Sequence, residues 1–501
     1  MVTQRRPRSR AVSAPLGWAI SIGTASAASL PPGSWGRPMR RLVVASLVLA
    51  AACQEAPPLM SRPQGGARSV VLRNVRVFDV QSAALLEGTR DVVVRDGRIA
   101  AVDQPGIPAP GVVEIEGRGE TLLPGLVDVH THTGSTAAPP WSVGVLPDVG
   151  ANLGAYLYAG VTTVLDLGNL TPAVFGERDD VASGKLLGPH VLAAGPVFTA
   201  PGGHPAEVLR QWLPWYLRWY VLPRATREVG SPEQARAEVT ALLPSKPDIL
   251  KLAVDGGARN DVPTLTAETI SAIAAAGHAA GVRSICHVGN SEEAIRCVKG
   301  RVDALAHEPW REEISDDAVR TIATAHIPVV ATLAVWDVAG EPRTRETDLL
   351  PIEREVAAPR VLSALFAPPP PPDADTAAFL RVAAANHDAR RRGVAKLRAA
   401  NVTVLAGSDA CNPGNLPGAG LHLELTKLVE SGFTPGEALR MATWDNARFL
   451  GGENPDFGAV AVGKRADLVL VAGDPTAEIA DLGRITHVIL DGAVLERHPW
   501  Q

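Results

Sequence analysis

The sequence predicts an α/β fold: a (β/α)8 TIM barrel with a small β-sandwich domain formed from both chain ends. Three observations support this prediction. Eight apolar, strand-like runs alternate with helix-like segments between residues 121 and 454, which is the strand count of a (β/α)8 barrel. Short β-branched runs lie at both ends of the chain. A chain of 501 residues is also long enough to build both domains.

The first 68 residues are interpreted as a leader. From Met39 the sequence MRRLVVASLVLAAAC places two arginines before an apolar run that ends at Cys53, the layout of a secretory signal over residues 39–52. The cysteine resembles the lipidation site of a bacterial lipoprotein, although Ala50 stands where leucine is usual. The proline- and glycine-rich stretch that follows is typical of a flexible tether. We expect an exported periplasmic or cell-envelope lipoprotein, or a cytoplasmic protein if the leader is not a signal.

Residues 69–120 and 455–499 are predicted to form the β-sandwich domain. The first segment contains SVVLRNVRVFDV, DVVVRDGRIAAV and VVEIEG, and the second contains ADLVLVAG and ITHVILDGAVLER. These β-branched runs are separated by glycine and aspartate turn signals. Because both ends share this pattern, we interpret them as halves of one domain with the barrel, residues 121–454, inserted between them.

The barrel segment contains eight apolar runs bounded by polar or glycine-containing stretches. They are TLLPGLVDVH, VTTVLDLG, HVLAAGPVFT, DILKLAVDGG, VRSICHVGN, VDALAHEP, IPVVATLAV and VTVLAGSDA. Continuous apolar strands are typical of a parallel sheet covered on both faces. Candidate helices between them include TAETISAIAAAGHAAG and SEEAIRCVKG, for which Thr264 and Ser291 are predicted N-caps.

Two insertions stand out from this alternation. Residues 210–230, RQWLPWYLRWYVLPRATREVG, contain five aromatic residues at helical spacing. They predict an aromatic helix face packed on the barrel, with a lid over the substrate pocket or a membrane-surface contact as alternatives. Residues 366–379, FAPPPPPDADTAAF, are predicted to be a proline-rich surface loop.

Composition excludes some classes of partner. The formal net charge of −5 argues against nucleic acid, which usually requires a basic face. The four cysteines have no zinc-finger spacing, and a chain of this length needs no disulfide framework. We expect a small-molecule substrate, contact with a membrane only through a lipid anchor, and make no prediction of the oligomeric state.

Polar residues end or interrupt five of the predicted barrel strands. They are His130 and His132 on the first strand, Lys251 on the fourth, His287 on the fifth, His307 on the sixth and Asp409 on the eighth. Catalytic groups of a (β/α)8 barrel cluster at the C-terminal ends of its strands. The sequence therefore predicts that these six residues meet at one end of the barrel.

The residue types suit a metal site. Side chains two apart on a strand share a face, so His130 and His132 can bind one cation, and imidazole suits zinc. His287 and His307 can bind a second cation. Asp409 supplies a carboxylate ligand and a base.

Lys251 needs a separate explanation, because a protonated lysine is a poor neighbour for cations. Burial and nearby positive charge favour the neutral amine, which can add CO₂ to become an anionic carbamate ligand. The alternative is a core lysine paired with a carboxylate such as Asp255.

The motifs VDVHTHTG, ILKLAVDGG, CHVGN, LAHEP and AGSDA, with TWDNARFLG and GKRADLVLVAGDP near the C-terminus, resemble the amidohydrolase superfamily and its imidazolonepropionase-related, prolidase-like branch. The resemblance covers most of residues 70–495. It implies two divalent cations, with zinc expected, and a role for each strand-end residue. The implied roles are first-cation ligands for His130 and His132, second-cation ligands for His287 and His307, a carboxylated bridging ligand for Lys251, and a proton-moving ligand for Asp409. Many relatives have EHG at the end of the sixth strand, where this chain has AHEP. The loop after His307 therefore does not match the family pattern.

The implied reaction is hydrolysis of an amide or peptide C–N bond of a small substrate by a metal-activated hydroxide, as in a dipeptidase or Xaa-Pro peptidase. One alternative is a mononuclear deaminase or a cyclic-amide hydrolase like imidazolonepropionase; mononuclear deaminase branches usually lack the lysine at position 251. Another is a non-catalytic binding lipoprotein.

Four further residues have side chains that could act near this centre. TAPGGHP, residues 199–205, resembles a GGH loop of the same branch, so His204 is expected either to contact substrate or to be an ordinary surface histidine. His422 and Glu424 are interpreted as structural, and Cys286 as a packing residue.

Overall fold

The structure, a computed structural model, describes residues 58–63, 66, 68–142 and 144–500. The predicted signal at residues 39–52 and the predicted lipidation site, Cys53, lie outside the described residues. Within the described part of the chain, no helix is both long enough and apolar enough to cross a bilayer.

Strands from both ends of the chain join in one sheet, as the predicted fold class requires. Its ten strands are β1 (Met60–Ser61), β2 (Val70–Asp79), β3 (Ala84–Leu85), β4 (Arg90–Arg95), β5 (Arg98–Asp103), β6 (Val113–Glu116), β7 (Thr121–Pro124), β18 (Leu468–Val471), β19 (Ile485–Leu490) and β20 (Ala493–Arg497). The order is β1-β20-β19-β18-β7-β2-β4-β5, and β3 and β6 also pair with β2. Apolar residues of the two halves, such as Val92 and Ile489, share one buried core.

Two aspartate–glycine turns explain local pairing in this sheet. Asp96 and Gly97 both have positive φ, 50° and 81°, between β4 and β5, and Asp491 and Gly492 have φ of 50° and 80° between β19 and β20. Two-residue turns with positive φ at both positions match the twist of antiparallel strands. The DG pairs in RDGR and LDGA therefore fix both hairpins.

The inserted segment forms the predicted barrel of parallel strands. They are β8 (Leu126–Thr131), β9 (Val161–Asp166), β10 (His190–Ala193) continued by β11 (Val197–Thr199), β13 (Ile249–Val254), β14 (Arg283–Val288), β15 (Ala304–Ala306), β16 (Val329–Ala331) and β17 (Val404–Ala406). A short extra strand, β12 (Thr226–Glu228), pairs in parallel with β11. Apart from β12, the strands of the barrel correspond one by one to the eight apolar runs, with β10 and β11 sharing the third run.

The barrel closes between its first and last strands. Thr131 and Ala410 form a parallel bridge, and the backbone N–H of Asp409 donates to the carbonyl oxygen of His130 at 2.7 Å. The C-terminal end of the eighth strand therefore lies beside the C-terminal end of the first.

Helices surround the barrel and fill its insertions. Within the described residues they are α1 (Val149–Tyr158), α2 (Ala173–Ala182), α3 (Ala206–Trp212), α4 (Trp215–Ala225), α5 (Pro232–Leu242), α6 (Ala267–Ala279), α7 (Ser291–Lys299), α8 (Asp316–Ala325), α9 (Leu333–Gly340), α10 (Pro351–Val356), α11 (Pro359–Leu365), α12 (Ala374–Ala385), α13 (His387–Ala399), α14 (Ala419–Glu430), α15 (Pro435–Arg440) and α16 (Asn446–Gly451). The N-caps of α6 and α7 are Thr266 and Asn290, not the predicted Thr264 and Ser291. The Asn290 side chain accepts from the backbone N–H of Glu293 at 2.9 Å.

The predicted run TLLPGLVDVH divides at Gly125. Residues before it form β7 of the small sheet, and residues after it form β8 of the barrel. A Cβ atom at Gly125 would lie 2.1 Å from Oγ1 of Thr162, so only glycine allows this close approach. The sheet also includes Met60, which pairs with Arg497, so the predicted tether ends before this buried residue instead of at residue 68.

Two further expectations differ from the structure. Cys286 and Cys297 form a disulfide, because the outer face of β14, opposite His287, packs against α7. Cys411 is buried and free. The aromatic insertion forms α3 and α4, but α4 has no buried residue, so it does not pack on the barrel through an aromatic face.

Candidate metal centre

The barrel interior brings the six predicted strand-end residues together. Lys251 and His287 project from the same faces of their strands as Ile249 and Ile285, which pack in the barrel interior. His132, His307 and Asp409 lie just beyond the ends of β8, β15 and β17.

His130, His132 and Asp409 form the tightest donor group. Nε2 of His132 lies 2.9 Å from Oδ1 of Asp409, and Nε2 of His130 lies 3.5 Å from the same oxygen. One ligand atom from each residue falls within 4.8 Å of the other two. This spacing allows one cation to be held by all three side chains.

His132 is oriented by a backbone contact. Its Nδ1 lies 3.0 Å from the carbonyl oxygen of Gly168, so Nδ1–H donates there and Nε2 is directed towards Asp409. Burial alone would lower the pKa of His132, but the hydrogen bond to Asp409 outweighs it and raises the pKa. The pair is therefore held together electrostatically.

Lys251 lies against this group. Its Nζ is 3.3 Å from Nε2 of His130, and the side chain is 3% exposed. Burial lowers the pKa of Lys251 to about 7, against a smaller opposing effect of Asp409. The carboxylate of Asp255 contacts His287 and Trp310, so the alternative in which Lys251 pairs with Asp255 does not describe this structure.

His287 and His307 border the donor group, with ring centroids 4.3 Å apart. Nε2 of His287 lies 3.0 Å from Oδ2 of Asp255, which leaves Nδ1 as its available ligand atom. Nδ1 of His307 lies 2.5 Å from Oγ1 of Thr332. Burial lowers the pKa of both histidines, to about 4 for His287, so both are neutral near pH 7, the form that binds metals.

The backbone is strained at two of these residues. His307 has a φ of 76° and Asp409 a φ of 58°, a left-handed conformation that is uncommon for residues other than glycine. Such strain persists where surrounding structure enforces it, and it concentrates at functional sites. Here it turns two side chains towards the donor group at the ends of their strands.

The donor set fits a divalent cation. Nε2 of His307 is buried, has no hydrogen-bond partner among the described residues, and lies 4.0 Å from Oδ2 of Asp409. A buried ring nitrogen without a partner is costly unless a ligand occupies it. Imidazole nitrogens beside one carboxylate are also the ligand types that zinc and similar ions prefer.

Several supporting residues escaped sequence analysis. Asp128 accepts hydrogen bonds from the side chain and the backbone N–H of Ser408, at 2.5 and 2.9 Å, and so links the first strand to the residue before Asp409. Asn412 donates to Oδ1 of Asp409 at 2.8 Å. Burial raises the pKa of Asp128 to about 7, against its hydrogen bonds.

A second buried carboxylate supports the loop after His132. Asp166, at the end of β9, accepts from the backbone N–H and the hydroxyl of Thr133 at 2.8 and 2.7 Å. Its place at the end of the apolar run VTTVLDLG was a signal that could have identified it, because the predicted ligands share that position.

His204 lies close to the histidines of this centre. Its ring centroid is 4.8 Å from that of His287, and its Nδ1 lies 3.0 Å from Oε1 of Glu207. Burial would lower the pKa of His204, but the contact with Glu207 outweighs it and raises the pKa. His204 therefore belongs to the site region, unlike an ordinary surface histidine.

An aromatic wall lies beside His307. Trp336 is 5.3 Å from the His307 ring, Trp310 stacks on Trp336 at 4.6 Å, and Phe379 is 5.4 Å from Trp310. Nε1 of Trp336 is buried and has no hydrogen-bond partner within the described residues. The wall therefore offers apolar area and one free N–H donor next to the centre.

The fold and donor set define a (β/α)8 barrel of the metal-dependent hydrolase type. The family model described as the amidohydrolase family matches residues 121–495. The chain belongs to the amidohydrolase family, whose members are hydrolases acting on C–N bonds. The predicted superfamily is confirmed.

Two curated proteins match short parts of the chain. An N-acetylglucosamine-6-phosphate deacetylase of Lysinibacillus sphaericus is 39% identical over 64 residues, which is 13% of this chain. A dihydroorotase of Elusimicrobium minutum (strain Pei191) is 32% identical over 109 residues, 22% of this chain. The chain spans 16% and 23% of the length of these relatives.

Solved structures match over most of the chain. A prolidase in complex with N-methylphosphonate-L-proline has a TM-score of 0.68 and 22% identity, covering 86% of this chain and 100% of that one. A Xaa-Pro dipeptidase with bound methionine has a TM-score of 0.65 and 22% identity, with the same coverage. At this identity the likeness shows the fold.

Proposed function

We propose that this protein hydrolyses the C–N bond of a dipeptide, in particular an Xaa-Pro dipeptide, or of a related N-acyl amino acid. The observation that supports this most is the position of Lys251, buried and 3.3 Å from Nε2 of His130. A lysine there fits a two-cation centre bridged by a carbamate and has no use in a mononuclear deaminase.

Two divalent cations, with zinc as our proposal, would be held by two sets of side chains. His130, His132 and Asp409 would hold the first. His287 through Nδ1 and His307 through Nε2 would hold the second, and Lys251, as its carbamate, would contact both. Cations bound there lower the pKa of a ligated water towards neutrality and polarise a carbonyl group.

The side chains of the protein would then move protons and position the substrate. Asp409, fixed by Asn412, would accept a proton from the attacking water and return it to the leaving nitrogen. The contact with Glu207 raises the pKa of His204 and so favours its protonated form. His204 would then donate a hydrogen bond to the substrate. The products would be a carboxylate and an amine.

The surroundings of the centre support a substrate with an apolar part. Trp336 lies 5.3 Å from the His307 ring and is backed by Trp310, which stacks on it. It would bring an apolar ring to the edge of the centre, against which a proline ring or an aromatic side chain could pack. The structural neighbours described as a prolidase and a Xaa-Pro dipeptidase support the same substrate class.

The test is a release assay on metal-loaded protein with three substrate sets: Xaa-Pro and other dipeptides, N-acyl amino acids, and cyclic amides. Hydrolysis of a dipeptide or N-acyl amino acid that chelation abolishes and added zinc restores is the expected result. Release of ammonia from an amino-substituted ring would instead indicate a deaminase. Ring opening of a cyclic amide, with no hydrolysis of the other substrates, would indicate a cyclic-amide hydrolase. No turnover of any set, with metal bound, would support a binding protein.

A further inference from the structure

The insertion between His204 and β12 exposes an apolar surface. We define the aromatic patch as its exposed side chains, with exposures of 43% for Trp212, 79% for Trp215, 56% for Tyr216, 41% for Leu217, 73% for Trp219 and 44% for Tyr220. Six of the ten exposed large apolar side chains in the described residues belong to this patch. Clustered exposure of this kind marks an interaction surface, whereas single exposed apolar residues are ordinary.

The helical spacing makes the patch continuous. Trp215 and Trp219 are four residues apart on α4, as are Tyr216 and Tyr220, so they form two adjacent rows along the helix. Within each neighbouring pair the rings meet edge to face, at 5.9 Å for Trp215 and Tyr216. No residue of α4 is buried, so the body of the protein leaves this helix largely uncovered.

The charge of α4 is positive. Its sequence, WYLRWYVLPRA, contains two arginines and no acidic residue. Arg218 donates to the carbonyl oxygen of Leu213 at 3.0 Å, and Arg224 donates to that of Tyr220 at 2.9 Å. Neither guanidinium forms an ion pair with a described acidic side chain, so both charges are available to an anionic partner.

We propose that the aromatic patch docks onto the surface of a bilayer that contains anionic lipid. Tryptophan and tyrosine favour the headgroup region, where an apolar ring and a polar N–H or O–H are both satisfied. Arginines on the same short helix are attracted to anionic headgroups. A lipid on Cys53, the predicted lipidation site, would bring the chain to a membrane independently of the patch.

A second copy of the chain is a weaker candidate for this surface. In a symmetric dimer the same patch meets itself. Arg218 and Arg224 of each copy would then approach those of the other without an acidic residue from either α4, and like charges across an interface are unfavourable. A membrane with anionic lipid has no such conflict.

Docking would also place the site near the membrane. α3 begins at Ala206, directly after His204 and Pro205, so the loop that carries His204 leads straight into the aromatic insertion. A docked patch therefore brings this loop close to the bilayer surface.

The experiment uses the full chain with Cys53→Ala, so that no lipid anchor contributes. Vesicles of phosphatidylcholine with about one-third phosphatidylglycerol are compared with vesicles of phosphatidylcholine alone. The double variant Trp215→Phe/Trp219→Phe removes two indoles and keeps aromatic rings, and Trp141→Phe, at an exposed tryptophan outside the patch, is the matched control. Brominated lipid chains quench tryptophans at bilayer depth, and Trp18 and Trp35 of the leader are present in every variant. Only the quenching lost in Trp215→Phe/Trp219→Phe is therefore assigned to the patch. A second double variant, Trp215→Ala/Trp219→Ala, reports on binding.

We expect brominated lipid to quench the tryptophan emission of the parent and of Trp141→Phe. In Trp215→Phe/Trp219→Phe most of this quenching should disappear. We expect Trp215→Ala/Trp219→Ala to bind the anionic vesicles roughly tenfold more weakly, with unchanged turnover of soluble substrate. Equal quenching in all variants would overturn the proposal. So would a lower oligomeric state of the alanine variant in sedimentation, which would assign the patch to a second copy, or a loss of turnover with vesicle binding retained, which would assign it to a lid.

Discussion

Nζ of Lys251 lies 3.3 Å from Nε2 of His130, although the two residues are 121 positions apart in the chain. Both side chains are buried, at 3% and 1% exposure. Two cationic groups could not share this space without water, so at least one nitrogen must be neutral. The contact joins the fourth strand to the first and makes one centre from two separate motifs.

The first prediction concerns the amine of Lys251. Its pKa is about 7, so the neutral amine that adds CO₂ becomes more abundant as the pH rises through 7 and scarcer below it. With ¹³C-labelled bicarbonate we expect a carbamate NMR signal that grows over this interval. Lys251→Ala should lose the signal, whereas Lys185→Ala, at a lysine whose side chain is 73% exposed, should keep it. A signal that survives Lys251→Ala would contradict the assignment.

The second prediction concerns the number of cations. Metal analysis of purified, zinc-loaded protein should approach two equivalents per chain, because two sets of ligands are present. His307→Ala should reduce the content towards one, and His278→Ala, at a partly exposed histidine that bonds to Asp303, should leave it unchanged. A firm value of one in the parent, together with activity in Lys251→Ala, would contradict the bridged two-cation centre.

The third prediction concerns Asp255, which positions His287. Oδ2 of Asp255 lies 3.0 Å from Nε2 of His287 and accepts from Nε1 of Trp310 at 2.8 Å. Asp255→Asn keeps the size of the side chain but replaces the carboxylate that accepts from the His287 imidazole. The His287 ring is then less firmly oriented, so the second cation should bind about tenfold more weakly. A zinc titration followed by competition with a chelator measures this. Unchanged affinity for both cations would show that His287 does not depend on Asp255.

The fourth prediction concerns stability in acid. His422 is buried, its Nε2 lies 2.8 Å from the carbonyl oxygen of Ala159, and burial lowers its pKa to about 4. As the pH falls from about 6.5, the unfolded chain binds a proton at this residue before the folded chain does, so the free energy of unfolding decreases. Between about pH 7 and pH 5 this loss should be about 2 kcal/mol.

His422→Gln removes the titrating group and can keep a donor towards Ala159. Urea unfolding at the two pH values, compared between the parent and this variant, isolates the contribution of His422. An identical pH dependence in both proteins would mean that His422 does not contribute to the acid sensitivity.

Much of the fold and of the candidate site was predictable because local patterns determine them. Apolar runs located all eight barrel strands, and barrel topology places strand ends such as His287 and Asp409 at one end. The pairing of Asp255 with His287 was not predictable, since it joins loops and strands far apart in sequence. Gly125 needed a glycine only because Thr162 of the next strand lies against it.

The aromatic insertion shows a different limit of sequence analysis. Helical spacing correctly predicted a helix near Trp215 and Trp219, but the spacing of aromatic residues does not specify what covers them. The disulfide between Cys286 and Cys297 was missed for a similar reason, because their separation by 11 positions matches no motif and only the packing of α7 on β14 brings them together.

In the proposed reaction, Asp409 moves protons within a cation-dependent hydrolytic centre. The most direct test compares turnover of Asp409→Asn and of the parent on the best substrate of the panel, at matched and measured zinc content. We predict a loss of about 10²-fold or more in kcat, because the amide cannot accept the proton of the attacking water. Near-normal turnover by the variant at full zinc content would show that Asp409 does not move the proton.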